Sequence, residues 1–177
     1  HEALTAAGFA VLTLDYRGFG DSEGDATFLD PMGQVADIRA GLDYLGARPE
    51  VDAARLGVFG SGGTGGGNAI YAAATDDRVK AVVPFYGFPQ GDSQPDYSKI
   101  EAAIQGHMAE NDDFFPPSAA KHLEQELIDL GKNAVLTVHP GSGHAFMAPH
   151  NALGTQSQEL YDLIWPQVVA FLHEHLD

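Results

Sequence analysis

The chain has 177 residues, no cysteine, and a formal net charge of -16 from 25 acidic and 9 basic side chains. That balance argues against nucleic acid and anionic membrane surfaces as partners, because both need a basic face. The missing cysteine excludes disulfides, a thiol nucleophile and a cysteine zinc site, and 44% hydrophobic residues suit one globular domain over 1–177. No apolar run is long enough to span a bilayer and no signal peptide is visible, so the protein is expected in the cytoplasm.

Residues 1–7 read as the tail of a helix closed by Gly8, and Phe9-Ala10-Val11-Leu12-Thr13-Leu14 as a strand covered on both faces. A polar, glycine-rich loop follows, from Asp15 to Gly24. Asp30-Pro31 has the form of an N-cap and first turn. Met32, Val35, Ile38, Leu42 and Leu45 then recur at helical spacing, which predicts a buried stripe, and Gly46 ends that helix.

The next stretch, Arg55-Leu56-Gly57-Val58-Phe59-Gly60-Ser61-Gly62-Gly63-Thr64-Gly65-Gly66-Gly67-Asn68, organises the rest. A short apolar run must reverse into an alanine-rich helix within a few residues, and only glycine reaches the required angles cheaply. Three chemistries use such a turn. A Walker phosphate loop is excluded because no lysine follows the glycines. A dinucleotide fingerprint matches at Gly60, Gly62 and Gly65, but it needs an acid closing the next strand, and Val79-Lys80-Ala81-Val82-Val83-Pro84-Phe85-Tyr86 carries none. The third is a nucleophile elbow, which holds one side chain exposed at the tip of a strained strand-to-helix turn.

Beyond it, residues 100–109 read as a strand running into Glu110-Asn111-Asp112-Asp113-Phe114-Phe115-Pro116-Pro117. Ser118 is expected to cap a helix with Leu123, Leu127 and Leu130 inward and Gly131 as its stop. Residues 134–138 form the last strand, opening into Pro140-Gly141-Ser142-Gly143-His144-Ala145-Phe146. A helix over 159–176 closes the chain, with Pro166 as a kink. Strands at about 10–14, 56–59, 80–84, 104–108 and 135–138 alternate with helices. That pattern predicts a doubly wound, mostly parallel sheet in an α/β/α sandwich, with ligands beyond the carboxyl ends of the strands. The elbow, Asp112 and His144 fall there in the chain order of an α/β-hydrolase triad.

With those segments in place the sequence resembles the α/β-hydrolases, and within them the dienelactone hydrolase-like group. The carrying segments are Leu14-Asp15-Tyr16-Arg17-Gly18-Phe19-Gly20-Asp21-Ser22, the elbow, Tyr86-Gly87, Glu110-Asn111-Asp112 and Pro140 to Phe146. The resemblance implies hydrolysis of a small carboxylic ester or lactone through a nucleophile-His-Asp triad and an acyl-enzyme, with no cofactor and no metal. His144 would be the general base and Asp112 its orienting acid, with Asp113 the neighbour that could be mistaken for it. The sequence departs from the family in two places. The family's early strands, one oxyanion loop and the strand beside Phe9–Leu14 have no counterpart, so residues are expected before His1. At the nucleophile the family places cysteine or serine. Counting from the strand, that position falls on Gly62; counting back from the helix, on Gly63. The G-x-nucleophile-x-G spacing puts it on Thr64, flanked by Gly62 and Gly66. Thr64 is thus the first candidate nucleophile, Ser61 the second, and the Gly65 amide the candidate oxyanion donor. The rival reading is an inactive relative serving as a binding protein. Tyr86, Phe88, Phe114 and Phe146 are candidates for a pocket lining, and His139 and His150 are read as structural or solvated.

Overall fold

The computed structural model describes residues 2–26, 31–91 and 94–177. Its elements are α1 (Glu2–Ala6), α2 (Pro31–Gly46), β1 (Leu56–Ser61), α3 (Gly62–Thr75), β2 (Val79–Phe85), a 3₁₀ turn (Tyr97–Lys99), β3 (Ala103–Asn111), α4 (Pro117–Asp129), β4 (Ala134–Gly143) and α5 (Gln158–Leu176). The four strands pair in sequence order, each neighbour parallel. Two apolar layers flank them, as expected of an α/β/α sandwich. On one side Val35, Ile38 and Leu42 of α2, the alanine face of α3, and Leu123 and Leu127 of α4 are buried, and most of these side chains pack with Leu56, Val82, Ile104 and Leu136 of the sheet. On the other, Ile164, Val168, Phe171, Leu172 and Leu176 recur at helical spacing along α5 and cover Ala81, Val83 and Phe85. Among the described residues no helix is long and apolar enough to cross a membrane.

One expected strand is not in the sheet. Ala10–Leu14 belongs to no strand of the sheet. Its side chains still alternate as a strand's do. Phe9 and Val11 pack toward the α5 layer, while Leu12 and Leu14 lie against Gly41 of α2. The apolar period is therefore real, but no described strand stands beside this segment to supply hydrogen bonds, and Leu14 is left exposed.

Smaller differences have local causes. Met32 is 54% exposed, so the α2 stripe begins at Val35 rather than Met32. Leu130 lies past the end of α4 and is exposed, with Gly131 following at φ +73°. Helix α4 starts at Pro117 rather than being capped by Ser118, since proline at the first position suits a helix start. The Asp30 N-cap lies outside the described residues. Strand β4 continues to Gly143 because its pairing with β3 resumes after an irregularity, at Asn111 opposite Gly143. As an edge strand β4 would present open backbone groups. Glu124 accepts from the Leu136 amide at 2.6 Å and Lys121 donates to the Leu136 carbonyl at 2.8 Å, so α4 satisfies that edge at Leu136.

Candidate active site at the carboxyl edge of the sheet

Three loops meet where the strands end. The first is the turn from β1 into α3. A Cβ on Gly60 would run into the backbone of Gly65, and one on Gly66 into that of Gly87, so the turn closes this tightly only with glycines. Gly62 has φ +74°, and a side chain there would meet no atom within 4 Å. Those are the features of an elbow apex: a left-handed backbone with open space above it. Gly63 has neither, because a Cβ on it would press into the Phe115 ring.

The second loop follows β3. Asp112 is buried. One carboxylate oxygen accepts the amides of Phe114 and Phe115, each at 2.9 Å, and the other faces His144. The third loop follows β4. His144 Nδ1 lies 2.8 Å from Asp112 Oδ2, and Thr155 donates to the His144 carbonyl. The His144 side chain is 17% exposed. Tyr86 and Phe114 meet its ring edge-on at 5.3 and 5.1 Å, and Phe115 stacks on it at 5.9 Å. Ser61 is hydrogen-bonded to the Tyr86 hydroxyl, and burial raises the Tyr86 pKa, with the Ser61 bond opposing it. Gly62 is therefore bracketed by two residues, Ser61 and Gly63, that each touch an aromatic ring packed on His144.

The structure thus brings His144 and Asp112 together and leaves Asp113 exposed beside them. At the turn itself the left-handed residue is Gly62, where the strand ends at Ser61 and the helix begins at once, while Thr64, the first expected nucleophile, lies two residues further on. Thr64 lies half-buried in the first turn of α3, and no hydrogen bond joins it or Ser61 to His144 among the described residues. A helix starting at Gly62 takes the Gly65 amide into its own ladder and leaves those of Gly62, Gly63 and Thr64 outside it. Of the candidate pocket rings, Tyr86 and Phe114 flank His144, while Phe88 and Phe146 are buried in the core. His150 sits on the surface, its ring accepting the Ala152 amide.

One pair was not anticipated. His107 of β3 and His139 of β4 are both buried, with His107 Nδ1 3.0 Å from His139 Nε2. Burial, reinforced by His139, lowers the His107 pKa to about 3, and burial lowers that of His139. The signal lay in register. His107 stands opposite Thr137 and His139 opposite Ala109, which makes the two rings diagonal neighbours on one face. Among the described residues no three side chains converge as metal ligands.

The comparisons with known proteins agree with this architecture. The model of the dienelactone hydrolase family matches residues 3–176. An uncharacterised 31.7 kDa protein from the traX-finO intergenic region of Escherichia coli is 42% identical over 90 residues, covering 51% of this chain. The match takes in 31% of that protein, so the chain aligns with about a third of the length of this relative. Among solved structures, the Pyrococcus furiosus esterase Pf2001 superposes with a TM-score of 0.82 at 18% identity, covering 99% of this chain and 75% of that one. The dienelactone hydrolase-like promiscuous phosphotriesterase P91, from metagenomic libraries, gives 0.81 at 21% identity, covering 98% and 78%. At these identities the two structures establish the shared α/β-hydrolase fold.

Proposed function

The chain belongs to the dienelactone hydrolase family, and on that premise we propose that it hydrolyses small carboxylic esters or lactones with His144 as general base. The observation that carries the reading is the 2.8 Å contact between His144 Nδ1 and Asp112 Oδ2. Asp112 holds the proton on Nδ1 and leaves Nε2 free to accept one. Since the apex is Gly62, the attacking group is a water molecule. His144 Nε2 takes its proton as the oxygen adds to the carbonyl carbon. The oxyanion faces the unpaired amides at the start of α3. Collapse breaks the bond to the leaving oxygen, which takes the proton back from His144, and acid and alcohol are released. Tyr86 and Phe114 offer an apolar wall to the acyl or alkyl part of the substrate.

A second reading keeps the acyl-enzyme. Thr64 carries a hydroxyl in the same first turn, two residues past Gly62, and it would attack in place of water. An activated acetate ester separates the readings. Water attack gives steady turnover without a burst, no labelling by a fluorophosphonate, and little change in Thr64→Ala. An acyl-enzyme gives a burst and a label at Thr64 that alanine abolishes. Absence of turnover in a protein that carries the whole fold would leave the family's scaffold as a binding protein.

A further inference from the structure

The buried histidine pair lies where the path of β4 changes. Ladder pairing between β3 and β4 holds through Ala109 opposite His139 and resumes at Asn111 opposite Gly143. Three residues of β4, numbers 140–142, thus stand against the single residue Glu110. That is an enlarged bulge, the kind of irregularity that re-aims a strand. It is fastened from three sides. Glu110 accepts the Gly141 amide at 2.8 Å, Ser142 donates to the His139 carbonyl at 2.7 Å, and the Glu110 amide donates to the Ser142 hydroxyl at 3.3 Å. Gly141 takes φ +72° to make the turn. His144 is the residue that emerges, aimed back at Asp112.

The bulge begins at His139, and the side chain that holds the His139 ring by a hydrogen bond is His107. A satisfied set of hydrogen bonds assigns the protons. Gln105 Oε1 lies 3.3 Å from His107 Nε2, so that nitrogen carries the hydrogen and Nδ1 accepts. His139 Nε2 then donates to it across 3.0 Å. Both rings are wedged by aromatics, His107 against Phe85 at 4.9 Å and His139 against Phe146 at 5.4 Å. The His107 carbonyl also accepts the Tyr86 amide at 2.8 Å, and Tyr86 is one of the rings on His144. One histidine therefore touches both supports of the base: the strand that delivers it and the ring beside it.

We propose that His107 and His139 are positioning residues for His144, fixing the origin of the β4 bulge so that the imidazole reaches Asp112. The inference rests on His144 being the base, and its test has an arm that needs no activity. His139→Gln keeps a side-chain N–H where Nε2 stands, whereas His139→Leu fills the space without a donor. The Nδ1–H resonance of His144, bonded to Asp112, is followed by proton NMR together with ester turnover. The expected result is that His139→Gln keeps the resonance and most of the turnover. His139→Leu should lose the resonance and about a hundredfold in kcat, with KM within about twofold, because small misplacements of a catalytic group are costly. If His139→Leu does not fold, His139→Asn, which is too short to reach His107, takes its place with the same expectation. A His144 resonance unchanged in the variant without the donor overturns the proposal. If the resonance behaves as expected while the parent turns over no ester, the positioning stands and the hydrolase reading falls.

Discussion

The three positions of the proposed site were not equally legible. Asp112 and His144 each sit in a local motif after a strand, so chain order was enough to pair them. The apex could not be read so directly, because a run of glycines offers three registers and only the backbone angle selects one. Gly62→Ser is the direct test. A side chain at φ +74° costs about 1–3 kcal/mol, the ordinary range for such a conformation, so the midpoint of chemical denaturation should fall. Fluorophosphonate should in turn label position 62, since a hydroxyl there enters the space bracketed by rings packed on His144. A stable variant that stays unlabelled would place the apex elsewhere. Asp112→Asn tests the other half. The asparagine oxygen can still accept the Phe114 and Phe115 amides, so the loop should hold. Its NH₂ would then face His144 and force the wrong tautomer, lowering kcat by about 10²–10⁴. His144→Ala, which removes the base outright, should lower it further.

At the scale of elements, periodicity located all four strands of the sheet but did not say which extended run would join it. Ala10–Leu14 shows the limit: alternation reports which faces are covered, while membership of a sheet needs a neighbour's backbone. Cross-strand facts were hidden for the same reason. The His107–His139 pair and the bulge after it depend on how β3 and β4 align, and alignment is not a property of either segment alone. The clasp between α4 and β4 is of this kind too. Glu124 and Lys121 lie three residues apart on α4 and pair at 2.8 Å, yet both also reach the backbone of Leu136. Glu124→Ala should leave the Leu136 amide without its acceptor on a partly covered edge. The expected loss is about 1–3 kcal/mol in urea unfolding, against about 0–1 kcal/mol for an exposed pair. A loss within the second range would show that solvent replaces the clasp.

For the molecule as a whole, charge and burial act on stability at different pH. Two acids that accept hydrogen bonds from arginine, Asp37 from Arg17 and Asp76 from Arg78, have pKa values below their usual 3.8. Their contribution is present above that value and is lost only as pH falls further. His107 works in a higher window. Its pKa is about 3 in the folded state, because burial penalises the imidazolium, and 6.5 in the unfolded chain. Between those values the unfolded chain binds the extra proton, so folding is opposed as pH falls through 6.5 and progressively toward 3. At pH 5 the single residue should cost about 2 kcal/mol relative to neutral pH, from one pKa unit being worth about 1.4 kcal/mol. The chain carries eight histidines and a net charge of -16, so the comparison must be internal. His107→Asn keeps an acceptor near Nδ1 and does not titrate. Urea midpoints of parent and variant, measured at pH 7.5 and pH 5, should converge on acidification as the parent loses stability and the variant loses less. Parallel slopes would mean that the His107 ring takes up its proton without unfolding, and that water reaches it from the carboxyl edge of the sheet.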